Sequence, residues 1–230
     1  MATVDPDSED LRLSILWTNP RRRWATISGV VILVGGAFAL DDAVSRLAAR
    51  PIESGQLKTT LSSLRFLGDG SPLVLLTLLA LSVAPTKRVP VVLALGAALL
   101  SGALVDRAKT LSARKRPIET LPAPALESWR RADNAGRNSS FPSGHAATAF
   151  GFARGMALVF PSAAWVAYTA AVGTAISRMF ELRHYPSDCT VGAIVGWTIA
   201  TLVWRLYSRR SAQKAVDDDE PDVIPLARTA

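Results

Sequence analysis

His184 stands four residues before Asp188 in the stretch Ser177-Arg-Met-Phe-Glu-Leu-Arg-His-Tyr-Pro-Ser-Asp188, and only one other histidine, His145, is present. Pro186 suits the first helical position, where its missing N–H goes unused. Asp188 then falls in the first helical turn, where the helix dipole favours an ionised carboxylate. From there it can hold one imidazole nitrogen of His184, fixing the tautomer and leaving the other nitrogen basic. Arg178 adds a fixed cation. The second histidine closes Phe141-Pro-Ser-Gly-His145. With Pro142 at the first helical position and Ser139 or Ser140 as cap, the N–H groups of Ser143 and Gly144 point out of a helix N-terminus, a place for phosphate oxygens. Gly144 lets an anion approach the backbone. Lys109 and Arg116 lie seven residues apart; on a helix that is ~700° of turn, so both project from nearly one face, about 10 Å apart along the axis. Pro117 ends that helix. By itself this run, with Arg107, Arg114 and Lys115, also reads as a solvated basic patch.

Positioning these groups falls to the apolar runs. The chain has 230 residues, 49% of them hydrophobic, with a mean hydropathy of +0.23. The clustering of the apolar residues marks a helical integral membrane protein. The expected fold is all-α, a polytopic bundle of six transmembrane helices with an extramembrane loop helix. Spans are expected at Trp24–Leu40, Pro72–Ala84, Val89–Val105, Pro142–Phe160, Ala163–Ile176 and Ser187–Leu206. Asp41-Asp42 stops the first, and residues 43–70 read as a loop with a short amphipathic helix and the turn Gly68-Asp69-Gly70. Residues 1–23 form a polar, partly interfacial segment without signal-peptide form. Residues 24–207 form the membrane domain, and 208–230 a disordered tail. Gly151 with Gly155, and Gly192 with Gly196, are G-x-x-x-G pairs for close helix packing. Cys189 is the only cysteine, which excludes an intramolecular disulfide and reads as a small buried residue. The net charge of +7 sits mostly at the ends of apolar runs, so the partners are membrane lipids with anionic head groups and not nucleic acid.

Counting joins the three clusters. If the four spans from Val89 onward each cross once, all three emerge on one membrane face. Lys109-x6-Arg116-Pro117, Pro142-Ser-Gly-His145 and Ser177-Arg178-x5-His184-x3-Asp188 resemble the three signature motifs of the type-2 phosphatidic acid phosphatase superfamily. Six spans resemble its integral-membrane, phosphatidylglycerophosphate phosphatase B-like branch. The resemblance implies a lipid phosphate or diphosphate phosphatase with His184 as nucleophile, giving a phosphohistidine, and Asp188 orienting it. It implies His145 as general acid, and Lys109, Arg116 and Arg178 with Ser143 and the Gly144 N–H as the phosphate clamp. It implies neither metal nor cofactor.

Two other functions use the same pocket: transfer of the phosphoryl group to a second lipid, and anion or lipid transport. Arg154 is the intramembrane charge that would suit transport, and snorkelling to the far interface accounts for it. Short basic flanks at Arg21–Arg23, Lys87-Arg88 and Arg205–Arg210 place both termini in the cytoplasm of a bacterial inner membrane and the site outside. The 118–138 loop, with Trp129, Arg130, Arg131 and Arg137, is the expected chooser among lipid phosphates.

Overall fold

The computed structural model describes residues 19–51, 55–129 and 139–219, and every regular element among them is helical. In chain order these are α1 (Pro20–Ala39), α2 (Asp41–Ala48), α3 (Gly55–Ser63), α4 (Gly70–Val83), α5 (Arg88–Ser112), α6 (Pro117–Thr120), α7 (Gly144–Val159), α8 (Ala164–Phe180) and α9 (Pro186–Asp219). Short 3-10 turns lie at Leu64–Gly68, Pro85–Lys87, Ala125–Trp129 and Pro161–Ala163.

Local chemistry sets the ends that matter. Asn19 is extended and its side chain accepts the Arg21 N–H at 3.0 Å, with Pro20 opening α1. Ala113 turns left-handed (φ 48°) and stops α5. Leu182 does the same (φ 54°) beyond α8, and the N–H groups of Arg183 and His184 both donate to the Arg178 carbonyl, at 3.1 and 3.3 Å. Ser143 caps α7 with its hydroxyl, which accepts the Ala146 N–H at 3.4 Å. The cap is therefore Ser143 itself, not Ser139 or Ser140, because α7 begins two residues later than expected.

Helix α7 is the centre of the bundle, packed against α5, α8 and α9. Small residues let the backbones close in. A Cβ added to Gly155 would lie 2.8 Å from the Ala94 Cα, and one on Gly196 would strike the Ala147 carbonyl and lie 2.8 Å from the Gly151 nitrogen. Gly192 meets the Ser143 carbonyl in the same way. Both G-x-x-x-G pairs are thus packing seams, where contact between backbones replaces the hydrophobic drive that lipid does not supply. Leu73, Ala98, Ala149, Phe152, Ala153 and Ala171 fill the core. The outer faces expose Ile32, Leu78, Val83, Val89, Trp165 and Leu202, the pattern of a surface that meets hydrocarbon.

Helices stand at all six expected places, but fewer satisfy the length and apolarity of a span. Among the described residues, two stretches, Pro85–Thr120 and Pro186–Lys214, are long and apolar enough to cross a membrane. Counting the bent pairs Pro20–Ala39 with Asp41–Ala48 (46°) and Thr59–Phe66 with Gly70–Val83 (59°) as one span each gives four. The 16 residues of α7 and 17 of α8 cover about 24–26 Å, short of a ~30 Å hydrocarbon core. Three further expectations change. Asp41-Asp42 does not simply stop a span, since it starts α2, and the 43–70 segment holds two helices and a 3-10 turn. Helix α9 runs on through Ser208 to Asp219, where a disordered tail is expected; residues 220–230 lie outside the described residues. Arg116 has extended backbone (φ −77°, ψ 156°), so it does not share a helical face with Lys109.

The glycine seams are testable by thermal unfolding in detergent. Gly196→Ala should lower stability by about 1–3 kcal/mol. Gly35→Ala, in open space on α1, should be neutral or stabilising by up to about 1 kcal/mol. Equal effects at the two positions would show that the seam is not tight.

Candidate active site

The C-terminal ends of α1, α5 and α8 and the N-terminal ends of α4, α7 and α9 gather on one side of the bundle. His184, 4% exposed, sits between α8 and α9 with Nδ1 2.7 Å from the Ser140 carbonyl oxygen and 3.7 Å from Asp188 Oδ2. A carbonyl only accepts, so in the neutral ring Nδ1 carries the proton and Nε2 keeps its lone pair. The carbonyl of Ser140, and not Asp188, is thus the atom that fixes the tautomer. Asp188 lies beyond hydrogen-bond length and acts as a nearby anion. Burial lowers the His184 pKa from its ordinary 6.5; Asp188 opposes this, while Lys109 and Arg178 reinforce it.

Asp188 is fully buried. Its Oδ2 accepts the Tyr185 N–H at 2.8 Å, and its backbone carbonyl accepts the Ser143 N–H at 3.0 Å, tying the start of α9 to the start of α7. That bond removes Ser143 N–H from the donors expected to face a phosphate, because the two helix N-termini pair with each other instead. At Gly144 a Cβ would lie 3.1 Å from Asp106 Oδ1 and 3.5 Å from Lys109 Nζ, so the pair fills the space beside this glycine.

Two of the expected cations lie beside carboxylates. Lys109 Nζ is 2.8 Å from Asp106 Oδ1, and Arg178 Nη1 is 2.7 Å from Glu181 Oε2, with Arg178 Nε buried and without a partner. His145, one-third exposed, has Nε2 3.3 Å from Asp69 Oδ1. The Gly68 turn packs onto its ring so closely that a Cβ there would come within 2.6 Å of Cδ2. His145 lies within electrostatic reach of His184 and Arg178, and Arg178 of Arg116, Arg65 and Arg183. Like charges crowded at a helix end repel one another until an anion sits among them. The cationic cluster and two imidazoles therefore make a place that favours an anion. Among the described residues, no group of three or more His, Cys, Asp or Glu side chains gathers as a metal would require.

Sequence reasoning passed over Arg114, Asp41, Asp69, Glu181 and the Ser140 carbonyl. Arg114 belongs to a run of cations, and nothing in its spacing separates it from Lys115, yet it is 1% exposed. Asp41 had a usable signal, since an ionisable group at the end of an apolar run is costly to bury and so marks a site. Arg154 is away from this cluster; its Nε donates to Thr201 Oγ1 at 3.0 Å and its guanidinium covers Trp197. Arg130, Arg131 and Arg137 lie outside the described residues, while Trp129 packs at a tilt against Phe141, with ring centroids 5.3 Å apart.

The geometry can be set beside known proteins. The family model described as the PAP2 superfamily matches residues 90–212, a stretch that takes in all eight expected site residues. Over 113 residues the chain is 37% identical to the Lipid A 1-phosphatase of Porphyromonas gingivalis, covering 47% of this chain and 22% of that protein. The matched part thus spans about a fifth of that curated relative's length. No solved structure gives a significant match. With just over half its length inside the family match, and the paired histidines and cationic cluster within it, the chain belongs to the PAP2 superfamily.

Proposed function

We propose that this chain is an integral-membrane lipid phosphate or diphosphate phosphatase that works through a phosphohistidine without a metal. The observation that carries this reading is the meeting of His184, its Nε2 lone pair available, with His145 and three cations at one end of the bundle. In the proposed cycle, Lys109, Arg116 and Arg178 hold the non-bridging oxygens, helped by the Ser143 hydroxyl and the Gly144 N–H. His184 Nε2 attacks phosphorus as the bond to the leaving oxygen breaks, and that oxygen takes a proton from His145. Water then attacks the phosphohistidine and gives a proton to His145, and the P–N bond breaks to restore His184 and release phosphate. Asp188 steadies the positive charge on the ring, and Asp69 steadies protonated His145.

A phosphate on an apolar anchor suits a site at the mouth of a bundle whose outer faces are apolar. In this reading α1, α4, α5, α7, α8 and α9 each cross once, as in the phosphatidylglycerophosphate phosphatase B-like branch, with the site on the extracytoplasmic face of the inner membrane. The name of the Porphyromonas gingivalis relative makes lipid A phosphates one class to try; phosphatidate, phosphatidylglycerophosphate and undecaprenyl diphosphate complete the panel.

His184→Asn should leave folding intact and cut phosphate release by roughly 10³-fold or more with chelator present; near-normal turnover would remove the mechanism. Because the His184 pKa is lowered, the neutral nucleophile persists as pH falls. The acid limb of kcat/KM should therefore lie below pH 6.5 once the substrate's own titration is subtracted, and a limb at or above 6.5 would contradict the assignment. A cysteine placed at exposed Gly70, in a Cys189→Ser background, should react in intact cells with a membrane-impermeant maleimide. Protection there until lysis would put the site on the cytoplasmic face.

A further inference from the structure

Arg114 does not face the phosphate site. Its Nη1 donates to Asp188 Oδ1 at 2.6 Å and to Ser187 Oγ at 2.8 Å, Nη2 to Asp41 Oδ2 at 2.7 Å, and Nε to Ser128 Oγ at 2.9 Å. The Tyr185 and Trp129 rings lie 3.9 and 4.7 Å from its Cζ. Asp41, 2% exposed, also accepts the Ser187 N–H at 2.9 Å and the Ser187 hydroxyl at 2.7 Å. A buried ion triad is a poor device for stability alone, since apolar residues of similar volume often serve as well or better. Here one arm of the triad ends on the carboxylate behind His184. Arg114 Nη1 occupies Oδ1 while Nη2 holds Asp41, so the planar guanidinium bridges the two carboxylates and leaves Asp188 Oδ2 turned to Tyr185 N and the imidazole.

The charge count gives Asp41 its part. Asp188 and Arg114 cancel, and Asp41 restores one net negative charge behind the ring. Lys109 from α5, Arg178 from α8 and His145 from α7 also act on the His184 ring, with Lys109 paired to Asp106 and Arg178 to Glu181. The net charge of the triad therefore contributes to whether a positive imidazole ring is tolerated there. We infer that Arg114 and Asp41 are positioning residues for His184, Arg114 setting the plane of the Asp188 carboxylate and Asp41 keeping the field behind the imidazole negative. This rests on the reading of His184 as the nucleophile, whose ring becomes cationic when Nε2 carries the phosphoryl group and Nδ1 keeps its proton.

The test is Asp41→Asn, which removes a charge and nearly preserves shape. The full chain, labelled with 15N-histidine in detergent micelles, has only two imidazoles to follow, and His145→Gln assigns them. In Asp41→Asn, His184 should titrate at lower pH than in the parent chain, and kcat for phosphate release should fall roughly tenfold or more at unchanged KM. If the variant only melts earlier, with the His184 titration and kcat of the folded protein unchanged, the triad is merely structural and the inference is overturned. Should Asp41→Asn not fold, Ser187→Ala keeps all three charges and loosens the fork; kcat should then drop several-fold at constant KM, and an unchanged kcat overturns the inference. A shifted His184 titration in a chain that releases phosphate from no lipid would uphold the positioning and remove the phosphatase reading instead.

Discussion

A guanidinium taken out of water costs several kcal/mol unless its donors and its charge are both met inside the protein. Arg114 meets that demand with two carboxylates, two hydroxyls and flanking aromatic rings. Its partners come from places far apart in the chain: the corner between α1 and α2, the 3-10 turn at Ala125–Trp129, and the first turn of α9. Satisfying one side chain thus fixes the relative placement of three segments. The His184 loop hangs from the same first turn of α9, so its position follows from where Arg114 can be satisfied.

The glycine seams impose the complementary constraint from within the bundle. Gly151, Gly155, Gly192 and Gly196 draw α5, α7 and α9 to backbone contact, and this brings the N-termini of α7 and α9 close enough for Ser143 N–H to bond the Asp188 carbonyl. Packing below and a buried ion triad above therefore converge on the same two helix starts. The carboxylates Asp106, Glu181 and Asp69 then sit against Lys109, Arg178 and His145, so that like charges can be crowded together before any anion arrives.

Much of this was legible in the sequence, for reasons that can be stated. Apolar runs located the bundle helices because lipid forces backbone groups to bond within their own segment. Proline, glycine and histidine at helix starts announced the α7 and α9 termini because each type has few uses there. What stayed hidden depends on tertiary contact. Arg114 and Arg116 are two residues apart and chemically alike, yet one is sealed inside and the other lies within electrostatic reach of Arg178, because Ala113 turns the chain out of α5. A reading that continues the helix through Arg116 cannot see that division. Nor can it see that a main-chain oxygen at Ser140 outcompetes Asp188 for Nδ1, since carbonyls carry no sequence signal. The Asp69 contact depends on a glycine turn folding back onto His145, which sequence spacing alone does not report.

Asp41 precedes Arg114 by 73 residues and Ser187 by 146. While the polypeptide is being made, this carboxylate emerges at the end of α1 long before either partner has left the ribosome. It must stay hydrated at the bilayer rim until the segment after α5, and then the beginning of α9, come to enclose it. The corner around Arg114 is therefore completed only once the start of α9 is made, and a product truncated ahead of Ser187 keeps at most its contacts with Asp41 and Ser128.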